Sequence, residues 1–252
     1  MISAVILGAG NVATHLYKAF EITDKVSVVQ WYNRELSKVI NFKNDVDVTD
    51  DVSKLKPADI YIISVTDDAI ANLSRQLPFK NRLVVHTSGT VNIHDLDKKN
   101  RRGVFYPLQT LSKSVLIDFK TVPVCLETLE KEDYKLLKKI GNAISNHVKK
   151  VNSDQRAALH LGAVFVNNFT NQLYRLAHEI TESTGAEFDM LKPLILETAH
   201  KVQEHSPFRS QTGPALRGDT STIKAHLKLL QNQRHKAIYE MLTQSIINTH
   251  GS

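Results

Sequence analysis

Apolar and polar positions follow two rhythms in the first half of the chain. Short apolar runs at Ala4–Leu7, Val26–Trp31, Ile60–Ser64, Leu83–His86, Gly103–Tyr106 and Val122–Leu126 have the length and β-branched content of buried strands. Between them, apolar residues recur at helical spacing near 12–21, 35–42, 67–76 and 92–97, and again in a lysine-rich amphipathic stretch over 130–144. Strands that alternate with helices predict a parallel sheet covered on both faces. After Lys150 the strand signal stops. Asn152 with Gln155 makes a capping box at the head of a long helix that runs to about residue 180. Its middle, AALHLGAVFVNNF, is apolar nearly all round, which predicts burial as the spine of a second domain. A helix over 187–204, bent at Pro193, comes next. The loop SPFRSQTGPALRGD and two helices, near 221–231 and 233–248, close the chain.

The first strand, turn and helix carry the most specific signal. AVILGAGNVA runs a buried strand into Gly8-Ala9-Gly10-Asn11-Val12-Ala13, and helical spacing begins at Val12. That is the setting of a dinucleotide-binding turn. Gly8 permits the tight turn, Gly10 lets backbone approach a pyrophosphate, and small Ala13 lets helix and strand pack closely. The phosphates would sit on free N–H groups at the positive end of the helix dipole. The pattern as a whole predicts an α/β fold: an N-terminal NAD(P)-binding Rossmann domain over 1–150, then an all-α domain over 151–252 for substrate binding and dimerisation.

Composition narrows the class. With 252 residues and 42% hydrophobic content the chain can bury a substantial core. No apolar run reaches the roughly 20 residues of a membrane span. The start of the sequence passes straight into a strand, which predicts no secretory leader. The single cysteine, Cys125, excludes an internal disulfide and a cysteine metal cluster, and fits a cytoplasmic protein with a buried, inert thiol. The net charge of +6 is scattered, and no nucleic-acid-binding motif interleaves with it. The expected partners are therefore a small molecule and a second copy of the chain, with no nucleic acid, membrane or metal.

Six further stretches carry candidate chemistry. The second strand ends in Asn33-Arg34, where an NAD enzyme would place a carboxylate. Arg34 can instead pair with a 2′-phosphate, so NADP is the expected cofactor, with Glu35 capping the next helix and pointing away. Ser64-Val65-Thr66 and Thr87-Ser88 end two more strands on the carboxyl edge and should flank the nicotinamide ribose, with Thr90 as a further hydroxyl. Asp67 and Asp68 suit a helix N-terminus better than a metal. Tyr106, Pro107 and Gln109 could form a substrate wall or an ordinary turn. On the long helix, His160, Val164, Asn167 and Asn171 fall in one stripe with Asn168 beside it. His160 could give a proton, and Asn167 or Asn168 could orient a carbonyl or imine. Arg217 is the expected anchor for an anionic substrate group, and Asp219 or Thr220 the cap of the helix that follows.

LGAGNVATHL, YNR, ISVTDDAI, HTSGT, YPLQTLSK, LHLGAVFVNNF and TGPALRGDTSTIKAHL together resemble bacterial Rossmann-like proteins with a C-terminal helical domain of uncharacterised function, described as NADP oxidoreductases. More distantly the layout is similar to pyrroline-5-carboxylate reductases and to β-hydroxyacid and 6-phosphogluconate dehydrogenases. The resemblance implies a cofactor across the first domain and a substrate between it and the long helix. The hydroxyacid dehydrogenases carry a catalytic lysine four residues before an asparagine of that helix. Here Ala163 and Val164 stand four before Asn167 and Asn168. The expectation is an NADP-dependent oxidoreductase acting on a small, anionic carbonyl or imine. The alternative is a non-catalytic NADP-binding sensor or scaffold.

Overall fold

The computed structural model describes residues 1–251. The chain forms two compact units, Met1–Asn167 and the residues from Asn168 onward. In the first, strands β1 (Ile2–Leu7), β2 (Val26–Tyr32), β3 (Val48–Thr49), β4 (Ile60–Ile63), β5 (Leu83–His86), β6 (Arg101–Pro107), β7 (Val124–Thr128) and β8 (Val148–Lys150) form one sheet. Their order is β3-β2-β1-β4-β5-β6-β7-β8. The chain steps outward from β1 through β2 and β3, then returns to place β4 on the other side of β1. The order thus reverses between β1 and β4, where a parallel sheet opens a crevice at its carboxyl edge.

Strand alternation sends residues to two helical layers. Ala4 and Ile6 pack on one face with Ala13, Leu16 and Phe20 of α1 (Asn11–Glu21) and Leu137, Ile140 and Ile144 of α3 (Lys131–Ile144). Val5 and Leu7 pack on the other with Ile70 and Leu73 of α2 (Asp67–Gln76). Fully burying such side chains contributes about 1.5–3 kcal/mol each before chain entropy is set against it.

Several details differ from the sequence pattern. The pairing of β6 with β7 is antiparallel. Between them lies just one 3₁₀ turn, Phe119–Thr121, so no crossover helix returns the chain for a parallel pairing. The helix expected over 35–42 is two 3₁₀ turns, Leu36–Lys38 and Ile40–Phe42, interrupted where Val39 is fully buried. The stretch near 92–97 is a 3₁₀ turn closed by an Asn92–Asp95 capping box.

The long helix begins as expected, with the Asn152–Gln155 capping box at the head of α4 (Ser153–Ala163). It then winds as a π-helix over Val164–Phe169 and continues as α5 (Thr170–Glu182). Its expected burial is not found: Leu161 is 58% and Val166 77% exposed. Pro193 does not bend a helix. It sits in the first turn of α6 (Lys192–Glu204), where proline's missing N–H costs nothing, after a 3₁₀ turn at Phe188–Leu191. The closing elements are α7 (Pro207–Ser210), α8 (Thr220–Leu229) and α9 (Gln233–His250). Among the described residues from Asn168 onward, Leu176, Ala215 and Leu230 alone are buried. No helix among the described residues is long and apolar enough to cross a membrane.

Candidate active site

The glycine turn lies at the sheet's reversal point and its geometry is specific. Gly8 has φ +119°, and a Cβ there would stand 2.0 Å from the Ser64 carbonyl oxygen. Glycine is therefore required for the turn and for its approach to β4. The Trp31 indole N–H donates to the Gly8 carbonyl at 2.6 Å and pins the turn from β2. Gly10 caps α1 without a side-chain bond to the first turn, and nothing lies within 4 Å of its missing Cβ. Free N–H groups thus face open space at the positive end of α1. Ala13 is fully buried behind them. This cradle fits a dinucleotide pyrophosphate.

A groove of about 960 Å³ extends from this cradle. All of Gly8, Ala9, Gly10, Asn11, Val12, Asn33, Arg34, Ser64, Val65, Thr66, Thr87 and Ser88 line it, and so does His160. At the end of β2, Arg34 is 82% exposed at its side chain. Asn33 is buried and its amide donates to the Glu35 carbonyl at 2.8 Å, which shapes the turn. Glu35 does not behave as expected. It makes no side-chain cap and lines the groove, paired with Lys38 at 2.9 Å and Arg34 Nε at 3.8 Å. The Lys38 contact holds its carboxyl below the usual range.

Hydroxyls crowd the ends of β4 and β5. Thr87 Oγ1 donates to Ser64 Oγ at 3.2 Å, which leaves the Ser64 proton free to point elsewhere. Ser88 Oγ accepts from the N–H groups of Thr90 and Val91, both at 3.1 Å. It also lies 3.3 Å from Thr90 Oγ1, which donates to Asp67 at 2.5 Å. Both Ser88 lone pairs are thus occupied in holding the turn. Asp67 and Asp68 occupy the first turn of α2, where the dipole favours them. His86, fully buried, accepts at Nδ1 from the Ser88 N–H at 3.1 Å. Burial pushes its pKa down to about 3, the nearby Arg156 adding to the effect, so its ring is neutral.

His160, half-buried on α4, lies with Nδ1 3.0 Å from the Tyr106 hydroxyl at the end of β6. Burial pushes the Tyr106 pKa up to about 12. The head of α4 is fixed one turn earlier. There the fully buried Arg156 pairs with Glu127 of β7 and donates to the Val91 carbonyl, and Ser153 donates to Glu127 at 3.0 Å.

Asn167, Asn168 and Asn171 are exposed, so water meets the hydrogen-bonding need that their burial would have created. The stripe read at 3.6 residues per turn also fails to continue, because the π segment winds more widely from Val164. Arg217 is exposed in the second unit, where Asp219 caps α8 by accepting from the Thr222 N–H at 3.0 Å. The Tyr106–His160 contact, Lys38 and Lys113 are groove features that sequence reasoning missed. Tyr106 stood at a strand's carboxyl end, which was a usable signal. Lys113 gave none: its loop is held by the His15 ring, which donates from Nε2 to the Ser112 carbonyl at 2.9 Å.

A family model for a domain of unknown function, DUF2520, matches residues 122–246. A proposed NADP oxidoreductase from Bacteroides fragilis is 38% identical, with 98% of each chain covered and a TM-score of 0.86. The chain belongs to the same family, Rossmann-like proteins whose C-terminal part carries DUF2520. An imine reductase from Myxococcus stipitatus, solved with NADP+, shares the fold at 17% identity, with 99% of this chain and 96% of that one covered and a TM-score of 0.66. A pyrroline-5-carboxylate reductase from Coxiella burnetii does so at 19% identity, with 98% and 96% covered and a TM-score of 0.58. No curated protein matches the chain.

Proposed function

We propose that this protein is an oxidoreductase that binds a nicotinamide dinucleotide, NADP in preference to NAD, and reduces a small, anionic carbonyl or imine or runs the reverse oxidation. The observation that carries this reading is the groove at the sheet's reversal point, where the open Gly10 cradle continues to Arg34 and Lys38 at one end and to Tyr106 and His160 at the other. The activities of the relatives named above agree with it. The bound dinucleotide would supply or accept the hydride. The chain's own residues would do the rest. The α1 N–H groups hold the pyrophosphate, and Arg34 with Lys38 outweighs Glu35 around a 2′-phosphate. The hydroxyl of Ser64 faces the ribose, and the Tyr106–His160 pair provides the proton.

Lys113, on the same groove, offers a cation for an anionic substrate group. The helical part from residue 151 is proposed to carry a homodimer interface. Turnover of a panel of small keto acids and cyclic imines with NADPH, set beside NADPH binding alone, tests the reading. Cofactor oxidation that depends on one of these compounds supports it. Binding without turnover across the panel favours a sensor or scaffold instead.

A further inference from the structure

We propose that Tyr106 is the group that passes the proton to the substrate, and that His160 holds that proton in reserve and sets the direction of the Tyr106 hydroxyl. The proposal rests on the oxidoreductase reading for its substrate, but its geometry stands within the first unit alone.

Gly89 makes room for this pair. Its φ is not in the left-handed region, so its backbone does not demand glycine. A Cβ there would stand 2.5 Å from His160 Nδ1 and 2.8 Å from its Cβ. The missing side chain is needed for the imidazole, which it lets settle against the loop after β5. Gly89, Tyr106 and His160 all line the same groove.

Proton count points the same way. The contact between Tyr106 Oη and His160 Nδ1 at 3.0 Å can hold one proton at a time. Tyr106 remains a phenol at ordinary pH, because burial and the nearby Cys125 and Asp67 raise its pKa against the smaller opposing effect of Arg156. Toward a neutral imidazole the phenol is the better donor, so its O–H points to Nδ1 and Nε2 carries the ring proton. When the ring takes a second proton, Nδ1–H donates to Oη. The phenol proton must then turn elsewhere, and the groove is the open side.

The step balances. A bound reduced nicotinamide would supply the hydride to the carbon of a C=O or C=N group, whose π pair would move to the heteroatom. The heteroatom takes the Tyr106 proton, Oη takes the proton from His160 Nδ1, and the ring ends neutral. Tyr106 alone would be left as a buried phenolate, a form that its surroundings disfavour.

¹⁵N-histidine NMR of the full-length protein tests this without a substrate, with His160→Gln assigning the His160 signals. At alkaline pH the wild-type ring is expected as the Nε2–H tautomer with Nδ1 accepting, and on acidification Nδ1–H is expected to appear as a hydrogen-bonded donor. In Tyr106→Phe the single tautomer should give way to a mixture, with circular dichroism unchanged. A wild-type neutral ring that carries its proton on Nδ1 overturns the proposal, and so does a Tyr106→Phe spectrum identical to wild type. If the tautomers behave as expected but NADPH fails to bind the wild type, the oxidoreductase reading is the one that falls.

Discussion

Two side chains decide most of the candidate chemistry. His160 is half-buried against Tyr106, and a proton-delivering role makes a sharp demand on it. His160→Gln keeps a hydrogen-bonding group but cannot supply a proton, so reduction should slow by about a hundred- to ten-thousandfold. NADPH affinity should change little. Stopped-flow absorbance at the nicotinamide band measures this, and a wild-type rate in the glutamine variant would leave His160 a structural residue. Arg34 is the proposed phosphate anchor at the other end of the groove. One charge-assisted contact is worth roughly 1.5–3 kcal/mol, or about ten- to a hundredfold in affinity. Arg34→Ala should therefore narrow any preference for NADPH over NADH toward parity, read by parallel titrations. An unchanged ratio would assign the phosphate contact elsewhere, with Lys38 the first candidate.

At the scale of elements, the sequence was most legible where apolar runs were long and their ends marked. β5 and α2 occupy the expected residues, and every residue expected at the cofactor falls on one groove. The glycine turn was readable because Gly8 answers a backbone requirement and Gly10 keeps the cradle open. The edge strands β3 and β8 were not, since two and three residues cannot show a period. The antiparallel turn of β7 depends on a helix missing from a loop. The π segment on the long helix cancels a stripe that simple spacing predicted. His86, at the end of β5, carries the prediction proper to this scale. Its pKa of about 3 lies below the value of roughly 6.5 for an unfolded chain, so the unfolded state binds the extra proton between those values. Stability is then complete above about pH 6.5 and is lost as pH falls toward 3, by several kcal/mol in the limit. His86→Asn keeps an acceptor for the Ser88 N–H and removes the titration. Urea midpoints at pH 4 and pH 7 should differ markedly in wild type and much less in the variant. Equal acid sensitivity in both would place the titrating group elsewhere.

For the whole molecule, the second unit raises the question of assembly. Met190 (77% exposed), Leu194 (62%), Leu196 (61%) and Met241 (71%) are large apolar groups in a region with few buried ones. Patches of this kind mark interaction surfaces. Light scattering at micromolar concentration should give twice the 28.3 kDa chain mass, and a mass of one chain would contradict a homodimer. For the groove at the sheet's reversal point the protein contains its own probe. The sole tryptophan, Trp31, hydrogen-bonds the glycine turn through the Gly8 carbonyl. Titrating NADPH and NADH against Trp31 fluorescence reads the cradle directly. The account predicts saturable quenching by both, with NADPH bound the more tightly by about tenfold or more. Absence of saturable quenching by either cofactor, with calorimetry likewise silent, would contradict it.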